Sequence, residues 1–470
     1  MNLIPSSVRV KGLSASEHAT LDRLLGVFQS KVTRNDLRSR YYDSQQTVQH
    51  LGIAIPAQLE SIDTVIGWPQ KAVDDLEQRI DLEGFILPSS SWTDFGLDLI
   101  WQQNRLALEA SQAHTSALKY AVAFAAVTPG ITGGPDVLVR CLSATSSAAL
   151  WDHNRRRISA AFSALTFDNG VMTEFILFTE DAWITCESRN GVWVADVEPH
   201  GLGRAPVVAL PFKPSLERPF GKSRISRAVM SITDRAVRSL LRMEVSAEFY
   251  SAPQRYVLGA SEESFVDASG RPRTGWEVTI GKLLALDLND ADQAPEVGQF
   301  PQMSMQPHMD MVRSDAAIFA GETGIPVNSL GIIHDNPASE AAMQTAYLPL
   351  VKTAERASTA FGLGWVEVMQ LAYMVREGGT EMPAELQGMR AKFRDPATST
   401  RTEMANATTM FVNAFPWAVN SDVTLEMFGL DQVDIDRLVA ERRRAGADSR
   451  LAALTEAVRS ARASAVTELE

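Results

Sequence analysis

Residues 224–251 read RISRAVMSITDRAVRSLLRMEVSAEFYS, and this stretch determines the architecture. It contains neither glycine nor proline, so the sequence predicts one helix of about 28 residues, on the order of 40 Å long. Pro253 is expected to end it. At helical spacing one face is apolar, with Ile225, Val229, Ile232, Ala236, Leu240 and Met243. Arginines cluster away from that face, at Arg224, Arg227, Arg235, Arg238 and Arg242.

The segments that follow this helix alternate between a small insert and further helices. Residues 256–300 form a β-rich insert with strands expected near 256–258, 276–280 and 283–286. A second helix is predicted from about Pro307 to Glu322, and residues 327–335 form a loop. Asn336 and Pro337 should open another helix that runs to Arg376, kinked or segmented by Pro349, Gly362 and Gly364. The sequence therefore places a small β module between two helices.

Charge is distributed unevenly around this module. Residues 204–255 carry ten basic and four acidic side chains, a local balance of +6. Residues 256–300 carry three basic and eight acidic ones, a balance of −5. The arginine face of the long helix is either a solvated or intersubunit ion-pairing face, or a basic face toward a polyanion.

The regions on either side are predicted as helices followed by an antiparallel sheet. Helices are expected at 14–40, with Ser16 as the N-cap, and at 69–80 and 95–125. Short β-branched or aromatic runs lie at 137–144, 160–165, 173–178, 182–186 and 192–197, and two Asn-Gly pairs between them indicate hairpins. They predict four or five strands that end at a loop over 206–214. C-terminal helices are predicted at 398–415, 424–428, 432–444 and 449–469.

The composition is that of a globular protein with a net negative charge. The 470 residues include 44 basic and 57 acidic side chains, a formal charge of −13, which is the wrong sign for a general binder of nucleic acid or anionic membranes. No window approaches about 18 uninterrupted apolar residues, so a membrane span is not expected. Residues 1–9 lack a secretory h-region. The two cysteines, Cys141 and Cys186, are too few for a disulfide framework or a cysteine zinc site and favour a reducing interior.

The sequence contains no recognisable catalytic constellation. Gly221-Lys222-Ser223 resembles the end of a phosphate-binding loop, but Leu216 stands where that motif needs a glycine. The seven histidines are scattered, without a metal-ligand spacing such as His-Glu-x-x-His. We therefore expect no catalytic residue, no metal site and no cofactor.

Several segments together resemble the portal proteins of tailed bacteriophages, in particular the type found in phages of actinobacteria. The resemblance covers nearly the whole chain and rests mainly on PFGKSRIS at 219–226, LLRMEVSAEFY at 240–250 and SAPQRY at 251–256. Gly-Ile-Pro at 324–326 and Asn-Pro-Ala-Ser at 336–339 occupy similar places in the family. Two N-terminal segments also resemble the family: Gly-Trp-Pro at 67–69 and Asp-Leu-Glu-Gly-Phe at 81–85.

The resemblance implies a mainly helical α+β portal fold. The expected parts are an N-terminal wing over 1–222, a stem of two helices over 223–252 and 303–323, and a small β-containing clip over 253–302 between them. A tunnel loop over 324–335, a kinked wing helix with its connection over 336–394 and a helical crown over 395–470 complete the fold.

The resemblance also implies a non-enzymatic function at one vertex of the virion capsid. Typically twelve copies form a ring whose channel passes double-stranded viral DNA, without sequence specificity, during packaging and ejection. Expected partners are the terminase large subunit, a head–tail adaptor, the major capsid protein and scaffold, with assembly in the host cytoplasm and no membrane. The alternatives are a capsid or connector assembly protein that is not a portal, and a nucleotide-hydrolysing enzyme.

The resemblance assigns three sets of residues to this function. The tunnel loop would present Val327, Asn328, Ser329, His334 and Asp335 to DNA. The basic face of the stem, Arg224, Arg227, Arg235, Arg238 and Arg242, would contact neighbouring subunits, DNA or the capsid. The clip would offer a partner surface with Glu262, Glu263, Asp267, Asp287 and Asp290.

Overall fold

The computed structural model describes eleven stretches that together cover most of the chain. They are 4–47, 64–88, 90–130, 133–251, 255–258, 296–299, 303–332, 340–397, 401–430, 434–435 and 437–445. Two compact units result, Met1–Pro396 and Ala397–Glu470. The strands predicted near 276–280 and 283–286, the helix start at Asn336 and the last helix at 449–469 lie outside the described residues.

The first unit contains eight α-helices among its described residues. They are α1 (Ala15–Tyr42), α2 (Trp68–Glu77), α3 (Leu97–Gln103), α4 (Leu106–Tyr120), α5 (Arg227–Ser251), α6 (Gln306–Thr323), α7 (Glu340–Glu377) and α8 (Ala384–Gln387). The second unit has α9 (Arg401–Ala414) and α10 (Asp422–Met427), and residues 434–435 and 437–445 are also helical. No described helix is long and apolar enough to cross a bilayer.

The strands of the first unit form two sheets and two short ribbons. The larger sheet has the order β1-β9-β8-β7-β6-β5 and the smaller the order β10-β3-β4, while β11 pairs with β12 and β13 with β2. Their bounds are β1 (Val10–Lys11), β2 (Leu82–Ile86), β3 (Val122–Pro129), β4 (Val137–Ser143), β5 (Ser147–Asp152), β6 (Arg157–Asp168), β7 (Val171–Phe178), β8 (Ala182–Arg189), β9 (Val192–Pro199), β10 (Val207–Pro211), β11 (Arg255–Leu258), β12 (Glu296–Gln299) and β13 (Arg390–Phe393).

Three sequence-based expectations about the N-terminal half are wrong. The N-cap of α1 is Ser14 rather than Ser16, because Ser14 forms a capping box with Glu17. The helix predicted over 95–125 is broken at Arg105, which has a φ of 51°, and Val122–Pro129 is instead the central strand of the smaller sheet. Residues 206–214 contain strand β10 rather than only a loop.

The prediction of a single sheet is also wrong, because the predicted strands belong to two different sheets. The run at 137–144 is β4 of the smaller sheet, whereas the other four predicted runs are consecutive antiparallel strands of the larger one. Asn169 and Asn190 both adopt positive φ beside glycine, as expected for the hairpin turns at the Asn-Gly pairs.

Helix α7 remains one continuous helix through Pro349, Gly362 and Gly364, so the expected segmentation does not occur. The glycine at 364 has a packing reason. A Cβ there would lie 2.6 Å from Leu210 Cδ2 and 3.0 Å from the Ala209 carbonyl oxygen of β10. Glycine therefore permits the close approach of α7 to the smaller sheet.

The main core of the first unit surrounds α7. Its buried side chains come from α2, α4, α5, α6 and α7, and they include the fully buried Phe319, Phe361 and Trp365. A second cluster packs α1 onto one face of the larger sheet, through Leu21, Leu25, Phe162 and other residues. Helix α5 thus begins, and helix α6 ends, within the largest core.

His114 is buried in this core as a neutral histidine. The Trp365 indole N–H donates to His114 Nε2 at 2.9 Å, and the ring of Phe361 stacks on the imidazole at 4.5 Å between centroids. Burial lowers the pKa of His114 to about 3, against a weaker opposing interaction with the Ile80 backbone. The folded protein therefore excludes a proton that the unfolded chain binds.

We expect His114→Gln to reduce the acid sensitivity of folding. An unfolded histidine titrates near pH 6.5, so between pH 6.5 and about 3 only the unfolded state is protonated at this site, and stability falls as the pH is lowered. At pH 5 this amounts to about 2 kcal/mol relative to pH 8. Glutamine can accept from Trp365 but does not titrate. The urea midpoint should therefore fall more between pH 8 and pH 5 in the wild type than in His114→Gln. If the midpoints of the two proteins fall equally, the neutral state assigned to buried His114 is wrong.

Candidate functional site

The residues that precede α5 are hydrogen-bonded to the C-terminal end of α4 through backbone and hydroxyl groups. The Ser223 hydroxyl donates to the Lys119 carbonyl at 2.5 Å and accepts from the Ile225 N–H at 3.0 Å. The Arg224 N–H donates to the Leu118 carbonyl at 2.8 Å. These contacts satisfy carbonyl groups that the C-terminus of α4 leaves open.

The Gly221-Lys222-Ser223 segment forms the start of α5 and does not form a phosphate-binding site. Gly221 has a φ of +74°, and a Cβ there would lie 2.1 Å from the Phe212 carbonyl oxygen. The Lys222 N–H donates to that same carbonyl at 2.8 Å. Because the N–H groups of Gly221, Lys222 and Arg224 all donate to backbone carbonyls, the segment lacks the free N–H cradle that nucleotide loops provide.

Arg224 was expected on the exposed basic face of the helix, and that expectation is wrong. The residue precedes α5 and is 6% exposed. Its Nε donates to the Ala72 carbonyl of α2 at 3.1 Å, and its Nη2 donates to the Thr323 carbonyl at the end of α6. Burial lowers the pKa of Arg224 to about 10, while the nearby Glu322 and Asp75 act in the opposite direction. Arg224 is thus an internal cation that joins the middle of α2 and the end of α6 to the start of α5.

Helices α5 and α6 run antiparallel along each other. Three contacts define the direction: Ser226 with Glu322 at 3.4 Å, Arg235 with Asp315 at 2.5 Å, and Ser246 with His308 at 3.4 Å. Residue numbers rise along α5 as they fall along α6. The shared interior contains Val229, Ile232, Ala236, Ala316 and Phe319.

The buried stripe of α5 agrees with the predicted face over its first three turns. Ile225, Val229, Ile232 and Ala236 are buried, and the stripe then continues through Val237, Leu241 and Val245. The predicted members Leu240 and Met243 are only half-buried. The shift is expected because a helix has 3.6 residues per turn, so a straight stripe drifts around it.

Arg235 binds a carboxylate of its own chain. Its guanidinium contacts Asp315, whose side chain is 5% exposed, while the arginine itself is 46% exposed. Asp315 Oδ2 is buried and accepts no hydrogen bond from the residues that the structure describes. Reversing the charge at 235 would therefore break an internal pair as well as any contact with a neighbour.

Arg227, Arg238 and Arg242 remain as the accessible part of the basic face. Arg227 and Arg242 are exposed and Arg238 is half-buried. Within the part of the chain that the structure describes, no carboxylate forms an ion pair with any of the three. Their role at a subunit boundary, on DNA or on the capsid stays a prediction.

A two-stranded ribbon joins the far ends of the two helices. Strand β11 follows α5 and pairs antiparallel with β12, which precedes α6, in the register Tyr256 with Gly298. The predicted partner surface at Glu262, Glu263, Asp267, Asp287 and Asp290 lies outside the described residues. The described part of the insert is thus the base of a β element carried by a helix pair.

The first half of the predicted tunnel loop is folded against the core. Residues Val327–Leu330 form a 3₁₀ turn, Val327 packs on the main core, and the Ser329 hydroxyl lies 2.9 Å from the Tyr347 hydroxyl of α7. Asn328 is exposed. His334 and Asp335 lie outside the described residues.

Sequence reasoning missed the two buried charges of this helix pair. Asp315 lies on the apolar stripe of α6, four residues before Phe319 and next to Ala316. A carboxylate at such a position signals an internal cation, because an unpaired buried charge is costly. Among the described residues, no group of histidine, cysteine and carboxylate side chains is placed to hold a metal ion.

Comparison with known proteins gives consistent matches over most of the chain. The family model described as phage portal protein, SPP1 Gp6-like, matches residues 21–415. A protein named portal protein from Mycobacterium phage D29 is 29% identical over 402 residues, covering 83% of this chain and 81% of the relative. Another of that name, from Mycobacterium phage L5, is 29% identical over 413 residues, covering 86% and 82%.

Solved structures give more distant matches. A chain in the neck of a native gene transfer agent particle, computed with C12 symmetry, is 11% identical with a TM-score of 0.43 and covers 77% of this chain and 89% of that one. A chain in the virion of the native particle is 14% identical with a TM-score of 0.41, covering 75% and 86%.

Proposed function

Because the chain belongs to the SPP1 Gp6-like family of phage portal proteins, we propose that its copies form a ring, typically of twelve, around a channel at one capsid vertex. Double-stranded DNA would enter through this channel during packaging and leave by it during ejection. The protein would be assembled in the host cytoplasm and remain in the virion. The helix pair α5 and α6 would form the channel wall.

The observation that carries this proposal is the surface of the helix pair that no described residue covers. Helix α6 exposes Met309, Met311 and Ile318 to between 42% and 46%, and α5 exposes the arginine face. Neighbouring copies packed side by side would cover these apolar groups and supply partners for the arginines. A ring of such pairs is the closed arrangement in which every copy is covered equally.

The charge balance also suits a conduit. Each phosphate that a protein neutralises strengthens binding in a salt-dependent way, so a strongly basic channel would hold the DNA it must pass. The chain carries a formal charge of −13, and two of its five stem arginines are bound internally. These features support a channel that binds DNA weakly.

The ring is tested by electron microscopy of the purified protein together with an ATPase assay. We expect rings with an axial hole and no nucleotide hydrolysis. A compact monomer contradicts the proposal. Rings without a hole would favour a different capsid or connector component, and ATP hydrolysis would favour the enzyme alternative that the Gly221-Lys222-Ser223 geometry already argues against.

The segment 253–302 is proposed to dock the terminase large subunit and later the head–tail adaptor. Residues 256–300 carry three basic and eight acidic side chains, so a basic partner surface is expected. The wing and crown would contact the major capsid protein and scaffold.

Replacing 253–302 by a flexible linker is expected to leave rings intact and to reduce DNA packaging in vitro to background. The reason is that the helices and core that hold a copy together lie outside the replaced segment. Rings are counted by microscopy and packaged DNA by nuclease protection. A linker of equal length that retains β11 and β12 serves as the matched control, and full packaging with the complete replacement contradicts the docking role.

A further inference from the structure

The loop between β10 and α5 is a closed hairpin with a leucine at its tip. The Lys222 N–H donates to the Phe212 carbonyl at 2.8 Å, and Ser215 and Arg218 exchange two backbone hydrogen bonds of 3.1 and 3.0 Å. Leu216, between them, is 94% exposed. Burial of a leucine side chain is favourable by about 2 kcal/mol, so a neighbouring surface that covered Leu216 would be stabilised by the contact.

The loop is fixed to the edge of the larger sheet. The ring of Phe220 packs against Phe124 of β3 and Trp151 of β5, each at 5.8 Å between centroids. Strand β5 is the last strand of the larger sheet on that side. The projecting leucine therefore has a defined position beside the β5 edge.

Basic side chains surround the tip. Lys213, Arg218 and Lys222 of the loop are exposed, and so is Arg34 of α1. Partial burial and the nearby Arg218 lower the pKa of Arg34, which shows two like charges held close together. No described carboxylate forms an ion pair with Arg34, Arg218 or Lys222, although Glu217 lies in the same loop. We call Arg34, Lys213, Leu216, Arg218 and Lys222 the basic knob.

The opposite edge of the same sheet has the complementary composition. On β9, Asp196, Val197 and Glu198 are all exposed, and Val197 is 40% exposed. Strand β1 pairs with β9 only at Trp193 and Val194, so in the described structure residues 196–199 have no strand on their outer side. Neither carboxylate forms an ion pair with a described cation. We call Asp196, Val197 and Glu198 the acidic edge.

The knob and the edge of one copy lie apart from each other. Four strand spacings separate β5 from β9, or roughly 19 Å at about 4.8 Å per spacing. The knob places positive charges around Leu216, whereas Asp196 and Glu198 project from one face of β9 and Val197 from the other, since successive side chains of a strand alternate between faces. The charges of the two surfaces are of opposite sign. A contact between such different patches is heterologous, and repeated contacts of this kind generate rings or filaments.

We propose that the basic knob of one copy docks on the acidic edge of the next copy, with its arginines and lysines beside Asp196 and Glu198 and Leu216 covered by the same contact. This inference rests on the proposed ring and names a contact that holds it together.

Charge reversal at each surface tests the contact. Arg218→Glu with Lys222→Glu, and separately Asp196→Lys with Glu198→Lys, should each lower the ring fraction about tenfold at a fixed subunit concentration, and combining the four changes should restore it. The ring fraction is measured by mass photometry, with circular dichroism as the check on folding.

Leu216→Asp should have the same effect as a reversal. Leu108→Asp is the matched control, because Leu108 is 58% exposed in the first turn of α4.

The outcomes separate this contact from the ring itself. If the wild-type protein forms no ring, the proposed function fails. If wild type and both reversed variants form rings equally well, the ring stands and the knob contact is wrong. Reversed variants that disassemble but are not rescued by combination also overturn it.

Cross-linking provides a readout that does not depend on weakened assembly. Leu216→Cys combined with Val197→Cys, treated with a short bismaleimide, should produce a ladder of covalent oligomers extending beyond the dimer. Each single variant, which retains the free Cys141 and Cys186, is the control and should remain monomeric on a denaturing gel. A product that stops at the dimer, or no product, overturns the proposal.

Discussion

Gly221→Ala is expected to destabilise the first unit by roughly 4 kcal/mol, because two costs add at this position. Its φ of +74° is a conformation that L side chains adopt only with strain. A Cβ would also lie 2.1 Å from the Phe212 carbonyl oxygen and 3.0 Å from the Ala121 carbonyl oxygen, both of which are backbone atoms that cannot rotate away. Urea unfolding followed by tryptophan fluorescence measures the loss.

Gly191→Ala is the matched control for this prediction. Gly191 has a φ of +78°, nearly the same as Gly221, but an added Cβ would meet nothing within 4 Å. Its cost should therefore be the conformational one alone, about 1 kcal/mol. If the two variants lose equal stability, the close approach at Gly221 does not constrain the entry to α5.

Local periodicity predicted the helices whose faces alternate regularly between core and solvent. The helices α1, α5 and α6 agree with the prediction within a few residues at each end, because each buries one stripe. The same reasoning failed at Val122–Pro129, a run rich in alanine whose first six residues are buried. A strand buried on both faces shows no alternation, so its state depends on the neighbouring strands β10 and β4 that the sequence does not reveal.

The pairing of strands was similarly beyond local reasoning. The Asn-Gly turns identified the hairpins of β6 to β9, since a hairpin is specified by a few adjacent residues. The assignment of β4 to a different sheet depends on its contact with β3, and β1 reaches β9 from the far N-terminus. Such pairings join residues distant in sequence and are fixed by packing of the whole unit.

The same distinction applies to the candidate site. Residue type and spacing identified a basic helix face, but which arginines are free depends on partners in other elements. Arg224 and Arg235 bind Ala72, Thr323 and Asp315, all at least 80 residues away. Only the fold could separate these internal cations from Arg227 and Arg242.

Arg224→Ala is expected to lower the free energy of unfolding by about 3 kcal/mol. The substitution leaves the Thr323 carbonyl oxygen, at the end of α6, without its donor, and removes the additional donor of the Ala72 carbonyl oxygen within α2. Because Thr323 ends α6 and Arg224 precedes α5, the same change should loosen the base of the helix pair. Urea midpoints give the stability, and hydrogen exchange of the last turn of α6 gives the local effect.

Two variants make this prediction specific. Arg227→Ala removes an exposed arginine three residues away, at the first position of α5, and should change stability by less than about 0.5 kcal/mol. Arg224→Lys keeps the positive charge but lacks the planar fork that reaches two carbonyls at once, so it should lose most of what alanine loses. If lysine restores full stability, the charge at this position matters and the bridging hydrogen bonds do not. If exchange in α6 is unchanged in Arg224→Ala, Arg224 does not hold the two helices together, and the apolar interior with the contacts along the pair, such as Arg235–Asp315, is sufficient.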